Sequence, residues 1–240
     1  MRDAGVVGVL GGMGPLATVD FLRKVIVATP AQVDQDHVPV LASSIPQVPD
    51  RTAAFRGVGE SPLPALVASG QRLVRAGAGL IVIPCNTAHL WFEPLADTLR
   101  LPMLHLVDAA LAEARALAGT RARIGLLGTE ATLASGLYTG RGRPGLRWLL
   151  PTDTEMARLV TPGIWAVKAG DTAAATALLR QAAQALADRG AETIVLGCTE
   201  IPLVLDMALS PVPVIDATAA LARRSVAWSL EQVALVASAA

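Results

Sequence analysis

Three stretches of this sequence occur twice, in the same order and at nearly constant separation. Val6-Val7-Gly8-Val9-Leu10-Gly11-Gly12 is echoed by Ile124-Gly125-Leu126-Leu127-Gly128-Thr129. The stretch from Ala76 to Thr87 is echoed by Gly190 to Thr199, and Leu101 to Ala109 by Pro211 to Ala217. Gly8 and Gly125, Cys85 and Cys198, and Asp108 and Asp216 stand 117, 113 and 108 residues apart, a drift that changes in loop length produce. A chain of 240 residues that repeats itself in this way is constrained to build one architecture twice.

The echoed stretches are short, nearly continuous apolar runs bounded by Gly, Pro or polar residues, which is how a strand covered on both faces of a parallel sheet reads. Leu63 to Ala76 and Thr172 to Arg189 carry apolar residues at helical spacing between them, and Val38 to Ala42 predicts a further strand. Alternation of strand and helix implies βαβ units. The expected fold is therefore α/β: two pseudo-symmetric, doubly wound parallel-sheet domains with the active site in the cleft between them. Residues 1–101 with 212–240 form the first expected lobe and 102–211 the second. The final helix, Thr218 to Ala237, is expected to pack back on the first.

In both lobes a cysteine follows the apolar run directly, at the carboxyl edge of a strand, where open parallel sheets bind ligands. A lone cysteine is ordinarily a small buried apolar residue; two at equivalent strand ends are not explained that way. The segment from Thr87 to Leu99 predicts a helix, which puts Cys85 near its N-terminus. Free N–H groups and the positive dipole end there favour a thiolate. The same N–H groups, with Asn86 and Thr87, suit a substrate carboxylate. Pseudo-two-fold symmetry would set Cys85 and Cys198 on opposite walls of the cleft. Inverting a stereocentre by proton exchange needs a base on one face of Cα and an acid on the other, and two equivalent thiols meet that need in either direction.

Other classes fit poorly. With 20 basic and 20 acidic residues and no long like-charge run, the chain shows no electrostatic footprint for nucleic acid. The apolar stretch Ala4 to Leu10 runs into Gly11, Gly12, Gly14 and Pro15, which reads as strand and loop rather than signal peptide. No uninterrupted apolar segment approaches the roughly 20 residues that span a bilayer, so a soluble cytoplasmic protein is expected. Two cysteines make no disulfide scaffold, and no Cys/His spacing suits zinc. The Gly11-Gly12-Met13-Gly14 loop matches neither the dinucleotide fingerprint nor a Walker A sequence; it reads as a backbone wall of the cleft.

Laid end to end, the chain carries Gly11-Gly12-Met13-Gly14-Pro15, Pro49-Asp50-Arg51-Thr52, Pro84-Cys85-Asn86-Thr87-Ala88-His89, Ser135-Gly136-Leu137-Tyr138, Val167-Lys168-Ala169-Gly170 and Gly197-Cys198-Thr199-Glu200. In these elements and their order it resembles the aspartate/glutamate racemase superfamily, and its aspartate racemase branch in particular. Glutamate racemases of the cell-wall type instead resemble D-S-G-x-G-G at the start and G-C-T-H at the second cysteine. The resemblance implies that Cys85 and Cys198 are the acid/base pair and that no pyridoxal phosphate, other cofactor or metal is used. It implies that Asn86 and Thr87 hold the α-carboxylate, with Arg51 and Lys168 near the side-chain carboxylate. Met13, Ala88, Thr129 and Thr199 complete the substrate-binding set it suggests, and homodimers are usual in the family. Family members often have a Tyr four residues before the lysine, where this chain has Ile164, which bears on the shape of the side-chain pocket.

Further residues carry weaker signals. Lys24 and Lys168 are the only lysines among the 20 basic residues, so a retained lysine is less readily a generic surface charge. Arg51 lies in a Pro-bounded loop from Ile45 to Thr52, where it could clamp a carboxylate bidentately, with Asp50 orienting it. Thr129, Thr132 and Ser135 either bond substrate or cap the next helix. His89, four residues past Cys85, is expected to support the site rather than carry its proton. Glu200 either influences the Cys198 thiol or is a helix-start carboxylate, and His37 and His105 read as structural. The leading expectation is racemisation of an acidic amino acid, aspartate before glutamate. Racemisation of another amino acid, isomerisation of a related dicarboxylate on the same scaffold, and an amino-acid-binding protein without catalysis remain as alternatives.

Overall fold

The computed structural model describes residues 4–118, 122–142 and 145–238. The chain divides into two compact units, one running to Leu106 and resuming at Thr218, the other spanning 107–217. In the first, the order is β1 (Val7–Gly11), α1 (Pro15–Ala28), β2 (Val40–Ser44), α2 (Arg51–Phe55), α3 (Leu63–Arg75), β3 (Leu80–Val82), a 3-10 turn (Thr87–Trp91), α4 (Phe92–Leu99) and β4 (Met103–Leu104). Helix α5 (Leu106–Ala118) leads into the second unit. There follow β5 (Arg123–Gly128), α6 (Glu130–Ala134), β6 (Arg147–Leu149), α7 (Asp153–Glu155), a π-type turn (Met156–Val160), α8 (Thr161–Ala169), α9 (Thr172–Asp188), β7 (Thr193–Gly197), a 3-10 turn (Ile201–Leu203) and β8 (Val214–Asp216). Helix α10 (Ala217–Ser238) returns to the first unit.

The repeat has become two sheets of the same design. The first has strand order β2-β1-β3-β4 and the second β6-β5-β7-β8, and every pairing is parallel. The inner strands β1 and β7 are buried at every residue, which explains why they read as unbroken apolar runs. The helices that precede β3 and β7 close in the same way. Helix α3 ends with Gly77 N–H on the Val74 carbonyl and Ala78 N–H on that of Leu73; α9 ends with Gly190 on Ala187 and Ala191 on Leu186. Both are Schellman stops with a left-handed glycine, at φ 97° and 91°. Helix α9 buries Ala175, Leu179, Ala182, Ala183 and Leu186, a single stripe at helical spacing.

Several boundaries differ from the sequence reading. Divisions at 101/102 and 211/212 assign β4 to the second unit and β8 to the first, whereas Met103 and Leu104 pair with Ile81 and Val82, and Val214–Asp216 with Ile194–Leu196. Short edge strands must place their backbone groups on a neighbouring strand, and that ladder moves both junctions toward the C-terminus. Strand β2 begins at Val40 rather than Val38 and runs through Ser44, since its ladder to β1 continues to the pair Gly11 and Ser44. The segment after Cys85 is a 3-10 turn before it is an α-helix. Pro94 lacks the N–H that an α-helix through residue 90 would need, so α4 starts at Phe92 and keeps the proline in its first turn.

Helix α10 is fastened to the first unit at several points. Ser229 Oγ donates to the Gly5 carbonyl at 2.6 Å, and the Trp228 ring covers Gly79. Lys24 pairs with Asp20 on α1 and donates to Thr218 Oγ1 at 2.8 Å, so this lysine ties α1 to α10. Among the described residues no helix is long and apolar enough to cross a membrane.

Candidate active site

In the first unit the site residues gather where β1 and β3 end. Cys85 follows β3 by three residues, its N–H held by the Ile83 carbonyl at 2.8 Å. It is buried in one apolar cluster with Met13, Val48 and Ala88, and Asn86 and Thr87 are buried beside it in sequence. Met13 is set in the loop after β1, where Gly12 adopts φ 93° and its N–H donates to Thr18 Oγ1 at 2.8 Å. Gly12 packs directly on the backbone of Ile45, at the end of β2.

His89 is engaged at both ring nitrogens. Its Nε2 accepts the Leu106 N–H at 3.1 Å, which leaves Nδ1 to donate to the Cys85 carbonyl at 2.8 Å. The imidazole is therefore a neutral brace between the Cys85 turn and the start of α5. Its ring stacks on Phe92 and meets His105 edge-on at 4.5 Å, an aromatic cluster that no spacing in the sequence announces.

Arg51 opens α2, and its guanidinium donates to the carbonyls of Val48 and Pro49, each at 3.0 Å. The sequence reading gave Asp50 the task of orienting it. Asp50 instead caps α2, accepting the Ala53 N–H at 2.7 Å, because an uncapped first turn would leave its N–H groups without partners. Loop carbonyls do the orienting.

The second unit places Thr129, Lys168, Cys198, Thr199 and Glu200. Cys198 directly follows β7 and is buried, in the same apolar cluster as Ile164, Val167 and Ile201. Its Sγ donates to Glu200 Oε2 at 3.0 Å, and Thr199 Oγ1 donates to the same oxygen at 3.4 Å. Glu200 Oε1 lies 3.4 Å from Lys168 Nζ, which in turn sits 5.8 Å from the centre of the Trp165 ring. Glu200 makes no capping bond to the turn it precedes, so the helix-start reading gives way to a thiol-facing carboxylate. Burial, and then the negative charge of Glu200, push the Cys198 thiol well above the ordinary range.

Tyr138, the only tyrosine in the chain, is fully buried behind this group, its ring close to Gly197. Burial, then the charges of Asp216 and Cys198, push its phenol up as well. Sequence reasoning quoted Tyr138 within a motif without giving it a task; its solitary occurrence was the available signal. Thr129 caps α6 through the Thr132 N–H at 3.2 Å, with the two hydroxyls 2.9 Å apart. Of the two readings offered for Thr129, the structure shows the cap. The two cysteines thus hold matching topological positions with unlike chemistry: two residues beyond Cys85 stands Thr87, and two beyond Cys198 stands Glu200. Among the described residues no three His, Cys, Asp or Glu side chains are grouped to hold a metal ion.

Comparison with known proteins agrees with the two-sheet α/β fold. The chain is similar to the structure of an aspartate racemase from Picrophilus torridus, with 32% identity, a TM-score of 0.80, and coverage of 92% of this chain and 94% of that one. It is 28% identical over 231 residues to a broad-specificity amino-acid racemase of Bacillus subtilis, covering 94% of this chain and 98% of the relative. It is 32% identical over 216 residues to a glutamate racemase of Deinococcus radiodurans, covering 85% of this chain and 66% of the relative. The Asp/Glu/Hydantoin racemase model matches residues 10–224. The chain belongs to the Asp/Glu/Hydantoin racemase family and is an amino-acid racemase.

Proposed function

We propose that the enzyme interconverts the enantiomers of an acidic amino acid, L-aspartate and D-aspartate foremost, with Cys85 and Cys198 as its acid and base. The observation that carries this reading is the matching topological position of the two thiols. Each leaves the third strand of a sheet of identical order at its carboxyl edge, and both are buried. One thiolate removes the α-proton while the other thiol returns a proton to the opposite face, and the reverse reaction exchanges the roles. The proton needs no cofactor to carry it, so neither pyridoxal phosphate nor metal enters the proposed mechanism.

The two cations support the dicarboxylate. Arg51 is pre-oriented by two carbonyls, leaving the rest of its planar fork for a carboxylate. Lys168 presents a compact charge whose partner is itself a carboxylate, so the side chain already sits in a carboxylate-binding geometry. Asn86, Thr87, Ala88 and Thr199 are assigned to the α-carboxylate and amino group. Met13 lines the site, Thr129 supplies a hydroxyl at the equivalent loop of the second unit, and Asp50 and His89 hold the supporting backbone. The family resemblance supports a homodimer.

A broader substrate range is the second reading. It is favoured by Ile164 standing where family members often have a tyrosine, and by the similarity to the broad-specificity enzyme. Racemisation assayed by chiral chromatography on aspartate, glutamate, alanine and lysine separates the two. Aspartate turning over with the highest kcat/KM is expected; comparable turnover of alanine would overturn the acidic-substrate proposal.

A further inference from the structure

Helix α8 gives one face to the core and keeps Trp165 and Lys168 on another. Ile164 and Val167 are buried in the apolar cluster that holds Cys198, and Gly163 packs against Leu179. Trp165 follows Ile164 directly yet is 61% exposed, the only exposed tryptophan of the four, so the core does not require it. The helix ends in a Schellman closure. The Gly170 N–H donates to the Val167 carbonyl at 3.0 Å and the Asp171 N–H to that of Ala166 at 2.9 Å, with Gly170 at φ 82°. Lys168 therefore stands in the last turn, where the negative end of the helix dipole favours a cation. Its Nζ lies 5.8 Å from the centre of the Trp165 ring and 3.4 Å from Glu200 Oε1. Neighbours at i and i+3 meet on any helix; here a third group, Glu200, fixes the same ammonium from a different element.

Resting on the dicarboxylate reading above, we propose that Trp165 is a positioning residue for substrate specificity, its ring holding the Lys168 ammonium in place for the substrate's distal carboxylate. A long side chain that is ordered only when ligand arrives loses rotamer freedom at that moment, and affinity falls accordingly. Contacts already made in the free enzyme remove part of that cost. Glu200 and Trp165 do so by different means. The carboxylate offsets the ammonium's charge, whereas the ring attracts the ammonium through its quadrupole and leaves the formal charge in place. Trp165 thus orders the cation without neutralising it. A substrate that lacks a distal carboxylate gains nothing from this arrangement, so the ring biases the site toward dicarboxylates. Trp165 has no part in the proton transfer, and its contribution falls on KM rather than on kcat.

The test compares Trp165→Leu, which keeps an apolar side chain but removes the ring, with Trp165→Phe, which restores one. Succinate binding is measured by titration calorimetry, and KM and kcat for aspartate by chiral chromatography, with thermal denaturation in parallel. Trp165→Leu should weaken succinate binding and raise KM about three-fold, with little change in kcat or melting temperature. Trp165→Phe should recover part of that loss. In a Lys168→Met background, where the ammonium is gone, Trp165→Leu should cause no further weakening of succinate. An unchanged KM in Trp165→Leu, a fall in kcat alone, a phenylalanine variant no better than the leucine one, or an equal loss in the Lys168→Met background overturns the proposal and leaves the dicarboxylate reading intact. Succinate binding that Lys168→Met by itself does not weaken overturns the part of Lys168 in the dicarboxylate reading, and the proposal with it.

Discussion

Gly12 and Gly77 form a matched pair for testing how the first unit is built. Both adopt left-handed backbone, at φ 93° and 97°, where an L-residue costs about 1–2 kcal/mol. They differ in the space available. A Cβ on Gly77 meets nothing within 4 Å, whereas one on Gly12 would lie 2.4, 2.5 and 2.6 Å from the N, C and O atoms of Ile45. Those are backbone atoms at the end of β2, and the Ile45 N–H is bonded back to Gly11, so they cannot swing aside as a side chain would. Overpacking of this kind costs about 1–3 kcal/mol more. Gly77→Ala should therefore lose about 1–2 kcal/mol and Gly12→Ala about 2–5 kcal/mol. Both residues lie in the same unit, so urea denaturation followed by circular dichroism compares them through one transition. Gly12→Ala should also impair racemisation, because the loop carries Met13, while Gly77→Ala should not. Equal losses of stability would refute the reasoning from close approach.

Two further outcomes follow from the site. Cys198 and Tyr138 both bind their protons more tightly folded than unfolded, by burial first and then by the charges of Glu200 and Asp216 respectively. Their contribution to stability is complete below about pH 8.5, the ordinary thiol value, and is lost as pH rises through the folded values. Cys198→Ala should flatten the alkaline limb of a stability-against-pH curve, and an unchanged limb would contradict the assignment. Arg51→Lys replaces a planar fork with a point charge and should raise KM for aspartate about ten-fold, some 1.4 kcal/mol; steady-state kinetics checks this, and an unaltered KM removes Arg51 from the substrate.

The architecture was legible because buried parallel strands are written as apolar runs, and the repeat wrote them twice. What escaped the sequence were features set by pairing rather than by local composition. Strands β4 and β8 are only two and three residues long, too short to show a period, so the domain junctions were placed too early. Cys85, Cys198 and Lys168 stood out through spacing and rarity. Glu200 was noticed beside Cys198, but only three-dimensional structure sets one of its oxygens on the thiol and the other on Lys168, 32 residues upstream. Asp50 was misread for a related reason. A carboxylate next to an arginine in sequence looks like its partner, yet the unsatisfied N–H groups of α2 made the stronger claim.

The central claim is that two thiols share the proton transfer, and incorporation of solvent deuterium at Cα of each aspartate enantiomer tests it most directly. The native enzyme should exchange the α-proton of both enantiomers without added cofactor. Cys85→Ser and Cys198→Ser should each abolish racemisation, leaving exchange from one enantiomer only, and from opposite ones. Racemisation at the native rate by either single variant, or no α-proton exchange by the native enzyme, would contradict the two-thiol mechanism.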